Sequence, residues 1–284
     1  MIQVLGKPFQ KSDMWESGSI ESVIIKRMQE AKVIYSYQSL NELGFELSLR
    51  KNIIKSAIDM SKSGVKFHIF AASRGNPQYW QISKVGGFHL KRGVKPSDAI
   101  RDIFINSSLY TFECATATVI IFYYALLKLI GETQFNYYFQ NLYLYSWHLD
   151  YDYRIYTFYG NHLLPGDVVY FHNPEVDPKQ PWWRGQNAVD LGDGTYFGHG
   201  FGIWTAEKMI ELLNKKRKPG SLKSAYQSNL ITRPSFNDLA KLSWYSRANQ
   251  TYKMQHMVIH HNQCSISYAK YLFYFNSYAY NKTN

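Results

Sequence analysis

Cys114 and His199 are the side chains whose types and settings best suit nucleophilic chemistry. Cys114 opens a strongly apolar run with helical spacing. A thiol in the first turn of such a helix sees free backbone N–H groups and the positive end of the helix dipole, and both favour thiolate. A solitary cysteine on an apolar helix is otherwise core filling, so the reading requires a base. His199 is the best partner: it sits between glycines in Tyr196-Phe197-Gly198-His199-Gly200-Phe201-Gly202, where other groups can approach the imidazole closely. A cysteine and a distant histidine joined by the fold is what a thiol acyltransferase or protease requires. His256, His260, His261 and Cys264 have ligand-like spacing but no second CxxC or HxxxH element, so no metal site is expected. The glycine pairs match neither a phosphate loop nor a dinucleotide fingerprint, and Asp150 and Asp152 lack the rest of a calcium loop. No cofactor is expected.

The elements that must position Cys114 and His199 are legible in outline. Helical spacing of apolar residues predicts helices over 20–30 and 40–60, the second stopped near Gly64. Alternation predicts strands or extended segments at 65–71 and 79–82. Ser97 is placed to cap a helix to Ile105, and Thr111 to cap one from Phe112 to about Ile130, closed by Gly131. Beyond a helix or helix-to-strand passage at 135–147, strands are predicted at 166–171, 188–191 and 196–204, which puts His199 on a strand. A helix follows at 205–218, ended by Pro219-Gly220. The expected fold class is α+β.

The 284 residues suffice for a large core without staples, and two cysteines do not make a disulfide framework. The N-terminus lacks the pattern of a secretory signal. The uncharged apolar stretch 115–127 stops at Lys128, short of the ~20 residues a membrane span needs, so no membrane partner is expected. A net charge of +11 and 17% aromatic residues together suggest nucleic acid or an aromatic cleft. No RRM, KH or helix-turn-helix pattern accompanies the charge, which argues against nucleic acid. Residues 245–284 carry no Asp or Glu, four Lys or Arg and nine Tyr or Phe, with no clean helical or strand period. The expected organisation is a single catalytic domain over 1–244 and an aromatic, basic extension over 245–284.

Several segments resemble the spore-coat transglutaminases of Bacillus in order and spacing. They are Phe112-Glu113-Cys114-Ala115-Thr116-Ala117, the run 166–175 beginning Gly-Asp-Val-Val-Tyr-Phe, Trp183-Arg184-Gly185-Gln186-Asn187 and Tyr196-Phe197-Gly198-His199-Gly200. Residues 45–53 and Ser224-Ala225-Tyr226 are similar too, so the resemblance spans about residues 1–240. It implies a compact papain-like core, similar to that of NlpC/P60 peptidases, with the nucleophile at a helix N-terminus on an antiparallel sheet. It also implies calcium-independent γ-glutamyltransfer that builds ε-(γ-glutamyl)lysine cross-links between glutamine- and lysine-bearing spore-coat proteins. The implied protein is a monomer without cofactor, made in the mother-cell cytoplasm and associated with the spore coat. Carried over by position, Cys114 is the nucleophile and His199 the catalytic histidine, while Trp147 and Trp183 match aromatic residues that shape a narrow active-site passage. The aromatic excess would then keep water from a thioester, and backbone N–H groups at the start of the Cys114 helix would supply an oxyanion hole.

One position departs from the family pattern. Where the family reads Arg-Gly-Glu-Asn, with the glutamate catalytic, this chain has Gln186. A glutamine cannot take the thiol proton. Three readings follow. Gln186 orients His199, which acts as the base. Alternatively Glu113 substitutes as base, although neighbours on a helix point about 100° apart and an ionised neighbour disfavours thiolate. Or the protein is an impaired or non-catalytic coat component. A cysteine amidase on the same scaffold is the competing enzyme class.

Overall fold

The computed structural model describes residues 1–9, 15–244, 258–261 and 264–267. Its centre is the helix α4, Cys114–Tyr138, and its other helices are α1 Ile20–Glu30, α2 Leu40–Ser61, α3 Pro96–Ile105, α5 Ala206–Asn214 and α6 Phe236–Trp244. Helix α4 is long and apolar enough to cross a membrane by length and composition, yet 72% of its most apolar window is buried in the fold. The residues that cover it come from α2, α3, α6 and the sheet. A helix apolar on all sides needs such a sleeve. Gly131, with φ 78°, breaks it as expected, but helical geometry resumes and runs to Tyr138.

Local caps explain where the helices begin. The Ser19 and Ser39 hydroxyls accept the Ser22 and Glu42 backbone N–H groups (3.2 and 3.1 Å) and start α1 and α2. Two expected caps are corrected. Helix α3 opens with Pro96, whose missing N–H costs nothing at a first turn, and Ser97 lies inside it. Helix α4 is capped by Glu113, because Thr111 and Phe112 form a short strand parallel to Lys66–Phe67.

The main sheet has six strands: β1 Ile155–Tyr159, β2 Val168–His172, β3 Gly185–Asp190, β4 Thr195–Gly198, β5 Gly202–Thr205 and β6 Tyr226–Pro234. Their spatial order is β5-β4-β3-β2-β6-β1, and every neighbouring pair is antiparallel. Alternation divides β3: Val189 joins the core around α4, whereas Ala188 joins a second core with Met209 and Leu213 of α5. The sheet is thus sandwiched between the α4 layer and α5. Alternation along β3 sends Gln186 and Ala188 to the α5 side and Asn187 and Val189 to the α4 side, and this decides which of them reaches the thiol.

The expected strand at 196–204 is two strands. Gly200 and Gly202, with φ of 99° and 91°, reverse the chain, so His199 opens a hairpin turn instead of lying within a strand. Further along the chain, Val258–His261 pairs antiparallel with Cys264–Ser267, a hairpin the sequence pattern did not reveal. His260, His261 and Cys264 fall on its strands, while His256 lies outside the described residues.

A buried ionic network ties the helical layer to the sheet. Arg50 of α2 bonds Glu46 Oε1, Asp167 Oδ1 and the Pro165 carbonyl (2.8, 2.8 and 2.9 Å), and Arg233 of β6 pairs with the same Asp167. Removing one partner leaves a charge uncompensated in the interior. We expect Asp167→Ala to destabilise the fold by about 3–5 kcal/mol, measured as a lower urea midpoint; a loss below 1 kcal/mol would contradict the role given to the network.

Candidate active site

The thiol stands at the first residue of α4 and is 4% exposed. Its neighbour Glu113 has extended backbone (φ −86°, ψ 162°), because it is the N-cap and lies outside the helix. The 100° separation expected of helix neighbours therefore does not apply. The Glu113 carboxylate folds back over the first turn: Oε2 accepts the Ala115 N–H (2.7 Å) and Oε1 accepts the thiol of Cys114 (2.8 Å). One carboxylate thus caps the helix and accepts a hydrogen bond from the thiol. This occupies the Ala115 N–H, which was expected to contribute to an oxyanion hole.

Asn187 supplies a donor in that region. From β3 its Nδ2 donates toward Cys114 Sγ at 3.7 Å. Gln186, one residue earlier, pairs with Phe171 across the sheet, so alternation turns it toward the α5 layer. Its amide donates to the Asn187 carbonyl (2.9 Å), and its side chain fills the space over Gly198. At 1% exposure it is a packed sheet residue, and the expected hydrogen bond from it to the imidazole is not made.

His199 is brought to the same region by the β4–β5 turn. Its Nε2 lies 3.1 Å from the Phe112 carbonyl, two residues before Cys114, and that acceptor makes Nε2 the protonated nitrogen. Burial drives the imidazole pKa down to about 4, partly offset by the Phe112 and Lys66 backbone. The ring is therefore neutral across the neutral range, and it fastens the strand that leads into α4. Gly200 must be glycine here for space as well, since a Cβ would lie 2.9 Å from the Phe67 ring.

Aromatic rings line one side. Phe67 meets His199 (centroids 5.9 Å) and stacks on Trp183 (4.8 Å), whose ring also stacks on Phe201 (4.6 Å, 6°). Trp183 is held by its backbone: the buried Asn173 amide donates to the carbonyls of Trp183 and Leu213 (both 3.1 Å). Trp147 is 2% exposed in the main core, on a loop pinned to α4 where the Ser146 N–H donates to Thr116 Oγ1 (2.9 Å). The structure therefore sets Glu113 on the Cys114 thiol, ties His199 to the Phe112 carbonyl just before them, links Trp183 to His199 through Phe67, buries Trp147 beside the Ser146–Thr116 contact, and turns Gln186 away. Sequence reasoning missed Asn187, Phe67 and Phe201 as site residues. Alternation from Gln186 could have found Asn187; no local signal marks Phe67.

A buried thiol at a helix N-terminus, with a carboxylate on its proton and an antiparallel sheet against its helix, defines a papain-like acyl-transfer enzyme. The sequence profile of the family described as protein-glutamine gamma-glutamyltransferase matches residues 1–243. A relative of that name from Halalkalibacterium halodurans is 50% identical over 274 residues, 96% of each chain. Another from Bacillus subtilis is 45% identical over 235 residues, 82% of this chain and 96% of that one. The solved transglutaminase of Geobacillus stearothermophilus, without its C-terminal extension, superposes with a TM-score of 0.70 at 48% identity, covering 73% of this chain and 100% of its own. The chain belongs to the protein-glutamine gamma-glutamyltransferase family, and it is an acyltransferase enzyme.

Proposed function

We propose that the chain joins protein glutamine to protein lysine through a thioester on Cys114, with Glu113 as the proton carrier, and that its substrates are proteins of the spore coat. The observation that carries this reading is the hydrogen bond of 2.8 Å from the thiol to Glu113 in a buried site. Glu113 takes the proton as sulfur attacks the glutamine carboxamide carbon. The oxyanion formed there accepts the Asn187 amide, whose Nδ2 already faces the sulfur. As the tetrahedral intermediate collapses, protonated Glu113 returns its proton to the leaving nitrogen, ammonia departs, and the thioester remains. A neutral lysine amine then attacks the thioester, its proton passes to Glu113, and the thiol is restored with release of the isopeptide.

His199 is a positioning residue in this scheme, because its N–H is engaged by the Phe112 carbonyl and its burial keeps it uncharged. Trp183 and Phe67 favour transfer over hydrolysis by adding apolar surface on the His199 side of the thioester. The spore-coat assignment is supported by the Bacillus source of the relatives.

The test is the product itself. With one glutamine peptide and one lysine peptide, mass spectrometry of the unaltered protein should find isopeptide with loss of ammonia as the main product. Glutamate as the main product would replace this reading with that of a cysteine amidase, and neither product would make the protein non-catalytic.

A further inference from the structure

Helix α5 runs into four consecutive cations, Lys215-Lys216-Arg217-Lys218. Two are balanced locally: Lys215 lies 2.7 Å from Glu211 and Lys218 3.5 Å from Glu175. Lys216 and Arg217 pair with no carboxylate among the described residues. The Lys216 ammonium stands over the Trp183 ring, 5.4 Å from its centroid, and Arg217 donates to the carbonyls of Asn214 and Lys223 (3.3 and 2.8 Å). This segment is fixed in place. The Asp177 N–H donates to the Lys216 carbonyl and the Lys218 N–H to the Glu175 carbonyl, each at 3.0 Å. Asn173 joins the same connection to the C-terminal end of α5. The two unbalanced cations are thus built onto the segment that carries Trp183, and Trp183 leads through Phe67 to His199.

We propose that Lys216 and Arg217 form a cationic rim beside the active site that selects glutamine donors flanked by acidic residues. The proposal rests on the transglutaminase reading above and names the substrate class for its first half-reaction. Charge decides between the two substrates. A glutamine side chain is neutral, so carboxylates near it in sequence add attraction without opposing the reacting group. A lysine arrives as an ammonium ion, which this rim repels. The two cations are half-buried and anchored, so little side-chain freedom is lost when they meet a carboxylate.

The experiment compares one glutamine peptide carrying Asp, Ser or Lys at its flanking positions, with a single small amine as acceptor. At low salt the Asp-flanked peptide should show a KM about fivefold below that of the Ser-flanked one, as expected for two rim charges. The difference should fade at high salt as screening shortens the reach of the charges. Lys216→Gln with Arg217→Gln should remove the preference, so that the Asp- and Ser-flanked peptides then share one KM; Lys216→Gln alone, which disturbs no backbone contact, should remove part of it. Lys26→Gln, on α1, should preserve it.

Equal KM values for the three peptides, or a preference that survives the double substitution, would overturn the proposal. If no peptide reacts, the transglutaminase reading has failed. The rim is then judged by fluorescence anisotropy of the labelled Asp-flanked peptide with Cys114→Ala protein, where binding lost with the double substitution supports it and absent binding refutes it. Binding of an RNA oligonucleotide, but not of the acidic peptide, through Lys216 and Arg217 would refute it in favour of a polyanion site.

Discussion

Cys114→Ala should abolish amine incorporation, lowering kcat/KM by at least about four orders of magnitude. The proposed covalent route has no substitute, because it places the thioester on the one sulfur atom that α4 presents to Glu113 and Asn187. The fold should persist. The substitution deletes a single buried atom at a helix start, and Glu113 keeps the Ala115 N–H that caps α4. We therefore expect a stability change of about 1 kcal/mol or less, read from urea unfolding. Retained incorporation in a folded Cys114→Ala protein would end the proposed mechanism.

Glu113→Gln should give the second largest effect, a fall in kcat of about 10²–10⁴-fold with KM little changed. The carboxamide oxygen still accepts the Ala115 N–H, so the cap remains while the capacity to take the thiol proton is lost. Helix propensity and packing are nearly unaltered, which separates proton transfer from stability. The companion substitution is Gln186→Glu, which restores the residue of the family pattern. Because β3 turns this side chain toward the α5 layer, we expect less than about a threefold change in incorporation. In the double variant, activity should stay at the Glu113→Gln level. Recovery in the double variant would show that a carboxylate at 186 reaches the thiol, and that Glu113 is not the sole base. A rise with Gln186→Glu alone would show the natural chain to be impaired.

These two tests turn on the same structural fact. Chain neighbours Gln186 and Asn187 are divided by the pleat of β3, whereas Glu113 and Cys114 are brought together because a helix boundary falls between them. Neither outcome follows from residue type.

Much of the scaffold was open to reading from the residues alone. Helices α1 and α2 were legible because apolar spacing at 3.6 residues is a local signal. The apolar run after Cys114 marked α4 for the same reason, and Gly131 marked its break. The motifs around Cys114 and His199 carried the family and its chemistry. Strands β1 and β6 and helix α6 went unseen. β6 reads Tyr-Gln-Ser-Asn-Leu-Ile-Thr-Arg-Pro without regular alternation, and its register against β2 shifts midway, so its pairing depends on partners far away in sequence.

Residue types and short-range periodicity carried helices α1 to α5 and, through the family motifs, the class of reaction. Which groups lie against the Cys114 thiol follows from the fold. The cap of α4 depends on Thr111 and Phe112 being drawn into a strand with Lys66 and Phe67, which frees Glu113 to fold back onto Cys114. The place of His199 depends on two glycines reversing the chain and on burial that strips its charge. Backbone register and desolvation are properties of contacts distant in sequence, and no local pattern encodes them.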